Sequence, residues 1–481
     1  DRNIASPGSG YRNYYNVGGG GISSIVSNGL ITIGNNAASN NTMTVTNANV
    51  WSRGLTVGNG ASKNSVVVLA DSVWTLLNQN IVVGTNAAVG NTVTLSGGTM
   101  TNVNELRIGI TNSSVGNRVT LSDGGKLFVA GAIAVGHSPG CSNNAFNIGG
   151  AGASSTVSNG AEFGVGGLLG GAYGCSSNTV TVTNANVCSG RLIVGNGHSF
   201  NTVRVLAGAA WNVATNGVGI TTGFNDGATG NVVVISGGTV TNAGLVRIGW
   251  NNGNGGVDRI VNNSLSINDG GRFFSGNVIL GSVKWSVNQT NNAYNVGGFG
   301  AVSTVSNGAI TVGQYGPANT MTVTNADLWS GALLIGNTIG VNTNAGSNVV
   351  QVLTNAAWDL LGNAVTVGTT NGSTDNSLTI RGGAMTNIGP LTVCPTNTLN
   401  VYAGGVLTAV TLTNHPDARI GVDVLATGNF AVTDNAALNG VVLATNLPAF
   451  GIRTCTILTC GGTLSGNLSL GPLPPRYSGL I

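Results

Sequence analysis

The stretch Asn41-Thr-Met-Thr-Val-Thr-Asn-Ala-Asn-Val-Trp-Ser-Arg-Gly-Leu-Thr-Val-Gly58 returns nearly letter for letter at Asn178–Gly195 and at Asn319–Gly336. Met43 and Val45 alternate with Thr42, Thr44 and Thr46, so one face is apolar and the other hydroxylated, as in a half-buried β-strand. An Asn-Ala turn follows, then a second alternating pair, Leu55 and Val57, closed by Gly58. The unit reduces to an Asn, an apolar pair two and four residues later, a small turn, a variable stretch, and a closing apolar-x-apolar-Gly.

That template recurs along the chain, with its Asn at Asn13, Asn41, Asn64, Asn91, Asn117, Asn144, Asn178, Asn201, Asn231, Asn263, Asn292, Asn319, Asn348, Asn376 and Asn397. The steps of about 21 to 34 residues fall in the window of repeat architectures. One unit alone cannot bury its apolar pairs. Stacked at about 4.8 Å, successive windings turn each apolar position into a continuous ladder and share backbone hydrogen bonds. Stacking also explains the Asn column, because amides one winding apart can bond to each other and to turn backbone. The spacing therefore predicts an all-β, single-stranded parallel β-helix (β-solenoid) of about fifteen coils.

A longer period lies on top, with Tyr15-Asn-Val-Gly18, Phe146-Asn-Ile-Gly149 and Tyr294-Asn-Val-Gly297 each opening a block of about five coils. Each block holds a Trp coil, at Trp74, Trp211 and Trp358. Insertions fall between the closing Gly and the next Asn, the longest being Leu168–Ser177, Trp250–Asn262 and Gly281–Asn291. One loop corner is thus expected to carry any partner contacts, near Trp250, Trp285 and Tyr315. The expected organisation is an N-terminal tail or cap over 1–12, a β-helix over 13–407, and a C-terminal β capping or assembly region over 408–481, where the register is expected to break.

Charged residues make up 6% of the 481, hydrophobic residues 41%, and Gly numbers 79. The hydrophobic content excludes a disordered chain, and a surface of Thr, Ser, Asn and Gly repels copies of itself only weakly. A net charge of +3 without a basic cluster argues against nucleic acid. No apolar run is long enough to span a bilayer. The chain opens Asp1-Arg-Asn-Ile-Ala, which is no signal peptide, so export with removal of a leader is the expectation.

Cys141 and Cys175 each lie three residues before their Asn, on neighbouring coils, which puts their α-carbons about 5 Å apart, within disulfide range. Cys455 and Cys460 flank Thr-Ile-Leu-Thr and are a second candidate pair. Cys188, standing where Trp51 and Trp329 stand, and Cys394 read as packed free thiols. Two bridges would suit an extracellular, oxidising setting.

The coils, together with Thr456-Ile-Leu-Thr-Cys-Gly-Gly-Thr-Leu-Ser-Gly466 near the end, resemble the autotransporter-associated β-strand repeats of bacterial surface and secreted proteins. The resemblance covers nearly the whole chain. It implies a right-handed β-helix, export, and a structural or adhesive role. No membrane barrel or anchoring tail follows Ile481, a departure that suggests a processed or partial piece.

Polysaccharide-cleaving enzymes also use parallel β-helices, and they need carboxylates converging from adjacent coils. Glu105 and Glu162 are the only glutamates and are expected far apart; Asp123 and Asp269 sit in equivalent Asp-Gly-Gly turns. Asp417, Asp423 and Asp434, with His415 and Arg419, form the one acidic cluster, more simply read as structural ion pairs. His137 and His198 are isolated, so no catalytic, metal or cofactor site is expected. The Thr arrays are too often interrupted, at Val67, Arg204 and Gln351, for an ice-binding plane.

These readings favour a non-enzymatic extracellular protein that packs with itself, head to tail, into a filament, sheath or surface layer. The alternative is an adhesin or glycan-binding surface passenger, and a polysaccharide lyase or hydrolase acting through Asp423 or Asp434 ranks third.

Overall fold

The computed structural model describes residues 2–4, 12–111, 113–169, 175–214, 217–251, 259–282, 289–337, 345–369, 373–426, 428–449, 454–474 and 477–479. The chain divides into two compact units, Asp1–Gly244 and Leu245–Ile481. Each is a right-handed parallel β-helix, and among the described residues there is no helix.

A coil has three strands. In the repeat that opens the sequence analysis they are Thr42–Thr46, Ala48–Ser52 and Leu55–Asn59. Each lies parallel and in register with its counterpart one coil on: Met43 on Val66, Val50 on Trp74, Leu55 on Ile81. Asn47, between the first two strands, adopts φ 44°, a left-handed turn that Asn tolerates and β-branched residues do not. In the second unit the same ladder runs Tyr294, Met321, Val350, Leu378, Leu399, Ile420.

The inward residues are sealed. Met43, Val45, Val66, Val68, Leu55 and Val57 are all fully buried. A side chain of this kind is worth about 1.5–3 kcal/mol when buried. The three Trp coils bring their indoles inside as well, and a buried N–H needs an acceptor. Each finds a Ser hydroxyl one coil earlier: Trp74 Nε1 donates to Ser52 at 2.9 Å, Trp211 to Ser189 at 2.8 Å, and Trp358 to Ser330 at 2.9 Å.

The Asn column forms a second ladder at the corner before the first strand. Asn41 donates both its backbone N–H and its side-chain amide to the Oδ1 of Asn64, at 3.0 and 2.9 Å. Asn64 does the same to Asn91, Asn91 to Asn117, Asn117 to Asn144, Asn144 to Asn178, and Asn178 to Asn201. In the second unit the chain of amides runs from Asn263 through Asn292, Asn319, Asn348 and Asn376 to Asn397. These side chains are fully buried.

The closing Gly of each coil is required by this ladder. Gly58 has φ +79°, and a Cβ there would sit 2.2 Å from the Asn91 amide nitrogen; Gly313, at φ +76°, meets Asn348 in the same way.

The register does not break after Leu407. Arg419–Asp423 lies in register on Thr398–Val401, Gly440–Thr445 on Arg419–Asp423, and Leu468–Leu470 on Gly440–Val442. The template missed these coils because Ala418 and Gly440 occupy the Asn position. At the other end, Arg2–Ile4 pairs with Ile31–Ile33, occupying a third-strand position despite its lack of repeat character.

Replacing Asn91 by Ala would strip the acceptor from two buried donors of Asn64. With about 1–3 kcal/mol lost per unsatisfied group, a loss of about 2–5 kcal/mol is expected in denaturant unfolding. The outward Thr94→Ala is expected to stay within about 0.5 kcal/mol.

Candidate interaction surface

Alternation that buries every second residue also presents the others to water. On the first-strand face the outward column of the first unit includes Thr44, Val67, Thr94, Thr120, Asn147 and Thr181. That of the second includes Ser266, Asn295, Thr322, Gln351, Thr379 and Asn400. Apart from the exposed Arg204, which follows Thr181 in the first column, these are neutral groups that mostly both donate and accept hydrogen bonds.

The second-strand face carries aromatic residues at outward positions that sequence reasoning passed over. Phe128 is 38% exposed and neighbours Ser158, which in turn neighbours Cys188. In the second unit Phe274 and the exposed Trp329 share a column with Ser306 between them. The signal was present: all occupy the position of Trp51. Cys188, expected to be packed, is exposed because this position faces out.

The third-strand face holds the clearest charged group. Glu105 and Glu162, expected far apart, fall in one column: Leu106, Ile133, Phe163 and Leu192 are successive register partners, so the residues preceding them, Glu105, Ala132, Glu162 and Arg191, line up. Two coils separate the glutamates, about 9.6 Å between α-carbons. Both are tied down. Arg107 Nε donates to Glu105 at 2.8 Å, and Arg191 Nε lies 3.0 Å from Glu162. Burial raises the Glu162 carboxyl, against the pull of the Leu169 N–H, 2.6 Å away, and of Arg191. Glu162 thereby pins the start of the Leu168–Ser177 insertion. His137 is held below its usual value by burial first, then by Arg107.

The acidic cluster near the C-terminus dissolves into local roles. Asp423 Oδ1 accepts the N–H groups of Leu425 and Ala426 and the Asn446 amide, while Arg419 pairs at 3.6 Å with Asp375. Asp123 and Asp269 are left-handed turn residues, and hydrogen bonds from Ser96 and Ser122 lower the Asp123 carboxyl. Among the described residues no three His, Cys, Asp or Glu come together to hold a metal, and no helix is long and apolar enough to cross a membrane.

On the loop corner, Trp250 pairs with Ser282 and lies under the Arg247 guanidinium at 3.9 Å, and the Tyr315 N–H donates to the Gly281 carbonyl at 3.0 Å. Trp250 and Tyr315 therefore lie two coils apart at one corner, with the Gly281–Ser282 coil between them, while Trp285 lies outside the described residues.

Cys141 and Cys175 meet. Ser142 pairs with Ser176 and both thiols are buried; the adjacent Cys175 thiol lowers Cys141 to about 7, while Cys141 and burial push Cys175 up, and Cys175 Sγ donates to the Ser138 carbonyl at 2.6 Å. Both are free thiols here, as are Cys455 and Cys460, which turn to different acceptors, Thr456 and Asp434.

No family model and no curated protein matches the sequence. A solved structure that does match is a TibC-catalysed, hyper-glycosylated fragment of TibA, at 13% identity, with a TM-score of 0.21, covering 96% of this chain and 99% of that one.

Oxidised glutathione is expected to link Cys141 to Cys175 by two thiol–disulfide exchanges, releasing two glutathione thiols. Non-reducing peptide mapping checks this; recovery of both as separate free-thiol peptides would refute the pairing.

Proposed function

We propose that this chain is an exported, non-catalytic β-helix that works by contact, an adhesive surface passenger of the autotransporter-associated repeat type. The observation carrying this reading is the mainly hydroxyl- and amide-bearing first-strand face of both units, interrupted by single arginines such as Arg118, Arg204 and Arg381, with Glu105 and Glu162 each held by an arginine and Asp423 by backbone N–H groups. Such a face suits uncharged hydroxyl-rich surfaces better than nucleic acid or an acidic polymer. Retention of the purified chain on immobilised neutral polysaccharide tests it. Raising salt from about 0.1 to 1 M shortens the Debye length from about 10 to 3 Å and is expected to leave retention unchanged. No reducing ends should be released. Retention only on charged polymers, lost in salt, would refute the reading.

Self-association into a filament is a second reading, favoured by the first coil. Among the described residues Ser24–Asn28 is paired on one side only. Ile22 is 96% exposed, and Ile25 and Tyr14 are largely exposed too. Such edges template further strands. Negative-stain images should show end-to-end assemblies that Ile25→Lys shortens; isolated particles at every concentration would exclude it.

A further inference from the structure

The second-strand face of the first unit is hollowed where its outward side chains shrink. Cys188 replaces the tryptophan of the other two repeats, and around it lie Thr156, Ser158, Asn186, Asn212 and Thr241. Together they line a groove of about 260 Å³. Ser158, Cys188, Asn212 and Thr241 follow one another coil by coil in a single column, and Phe128 stands one coil before Ser158. The groove therefore runs along the stack, and the exposed Phe128 ring stands one coil beyond its lining residues. Lys126 borders that end beside Thr156, and the groove is uncharged along the rest of its length.

We propose that this groove binds a neutral, linear oligosaccharide laid along the stack, with Phe128 as the platform on which one sugar ring sits. The inference rests on the adhesive reading and gives it a site. Four considerations carry it. The column advances about 4.8 Å per coil, close to the advance per residue of an extended β-linked sugar chain, so hydroxyls and amides repeat in step with the ligand's hydroxyls. Ser, Thr and Asn each donate and accept, as sugar hydroxyls do. Phe128, Ala210 and the methyl groups of the threonines offer apolar surface to the C–H faces of the rings. Finally, the backbone of Ser155–Asn159, Ala185–Ser189 and Ala210–Val213 is already paired on both sides within the parallel sheet. This leaves no free edge for strand addition, so an extended peptide has no ladder to join.

Cys188 supplies the readout, since it lies mid-groove and is exposed while Cys141, Cys175 and Cys394 are buried. Iodoacetamide alkylation of the Cys188 peptide is followed by mass spectrometry with cellohexaose, xylohexaose or mannohexaose present. One of these is expected to slow it at least about fivefold, as about four times Kd of ligand would. Alkylation of Cys455 and Cys460 should not change. Phe128→Ala should abolish the protection and Phe128→Tyr retain it, with unaltered circular dichroism for both. Protection by none of the three sugars, or protection that survives Phe128→Ala, overturns the proposal. If the intact chain is still retained on polysaccharide while Cys188 stays unprotected, the groove is wrong and the adhesive reading stands; loss of both removes both.

Discussion

The buried amide ladder is the constraint on which the rest of each unit depends. An Asn side chain shut away from water must spend its donors and acceptor. Here one carbonyl oxygen absorbs both donors of the residue a coil earlier. That arrangement fixes where each first strand starts, and the strand's alternation then decides which residues enter the core. It also fixes what precedes it, because an amide filling the space of a Cβ leaves room only for Gly at the close of the third strand; Cys394 takes that place in the coil where the Asn column gives way to Ala418. Register, core composition and the left-handed Gly are thus consequences of one hydrogen-bond pattern. The Trp–Ser pairs repeat the principle with a different donor.

With the interior so fully specified, function falls to the outward positions. They tolerate Thr, Asn, Arg, Phe or Cys at equivalent sites without touching the core, as the column Phe128, Ser158, Cys188, Asn212 shows. Coil-by-coil exchange of outer residues lets one scaffold carry a hydroxylated face, a hollowed groove with an aromatic ring one coil beyond it, and an arginine-clamped pair of glutamates. Two of the charged groups have architectural roles: Glu162 holds down an insertion, and Asp423 caps a turn.

Most of the fold was legible because its rule is periodic. The Asn column and the apolar pairs identified first strands, and the closing Gly identified third strands. The terminal coils were missed where the marker residue changed. At Ala418 and Gly440 the fold no longer needs an amide, so the pattern stops while the ladder continues. The surface was less legible, because distance along the chain hides adjacency across coils. Glu105 and Glu162 share a column, and the aromatic residues of the second strand look like random interruptions until the coils are stacked. Cys188 was misjudged for the same reason: its facing depends on strand parity, which the near-identical Trp51 already encoded.

The amide ladder is also polar. In the Asn-to-Asn bonds the donors point toward the C-terminus, while the remaining side-chain N–H of several members reaches back to an earlier carbonyl, as Asn91 does to Ala61. At Asn397, the last member, the side chain turns instead to the carbonyls of Ser373, Cys394 and Pro395. Within those bonds alone, removing an earlier member leaves a carbonyl oxygen without its donors, whereas removing a later one leaves N–H groups without their acceptor. A nascent fragment therefore carries an unfinished seam at its growing edge until the next winding arrives.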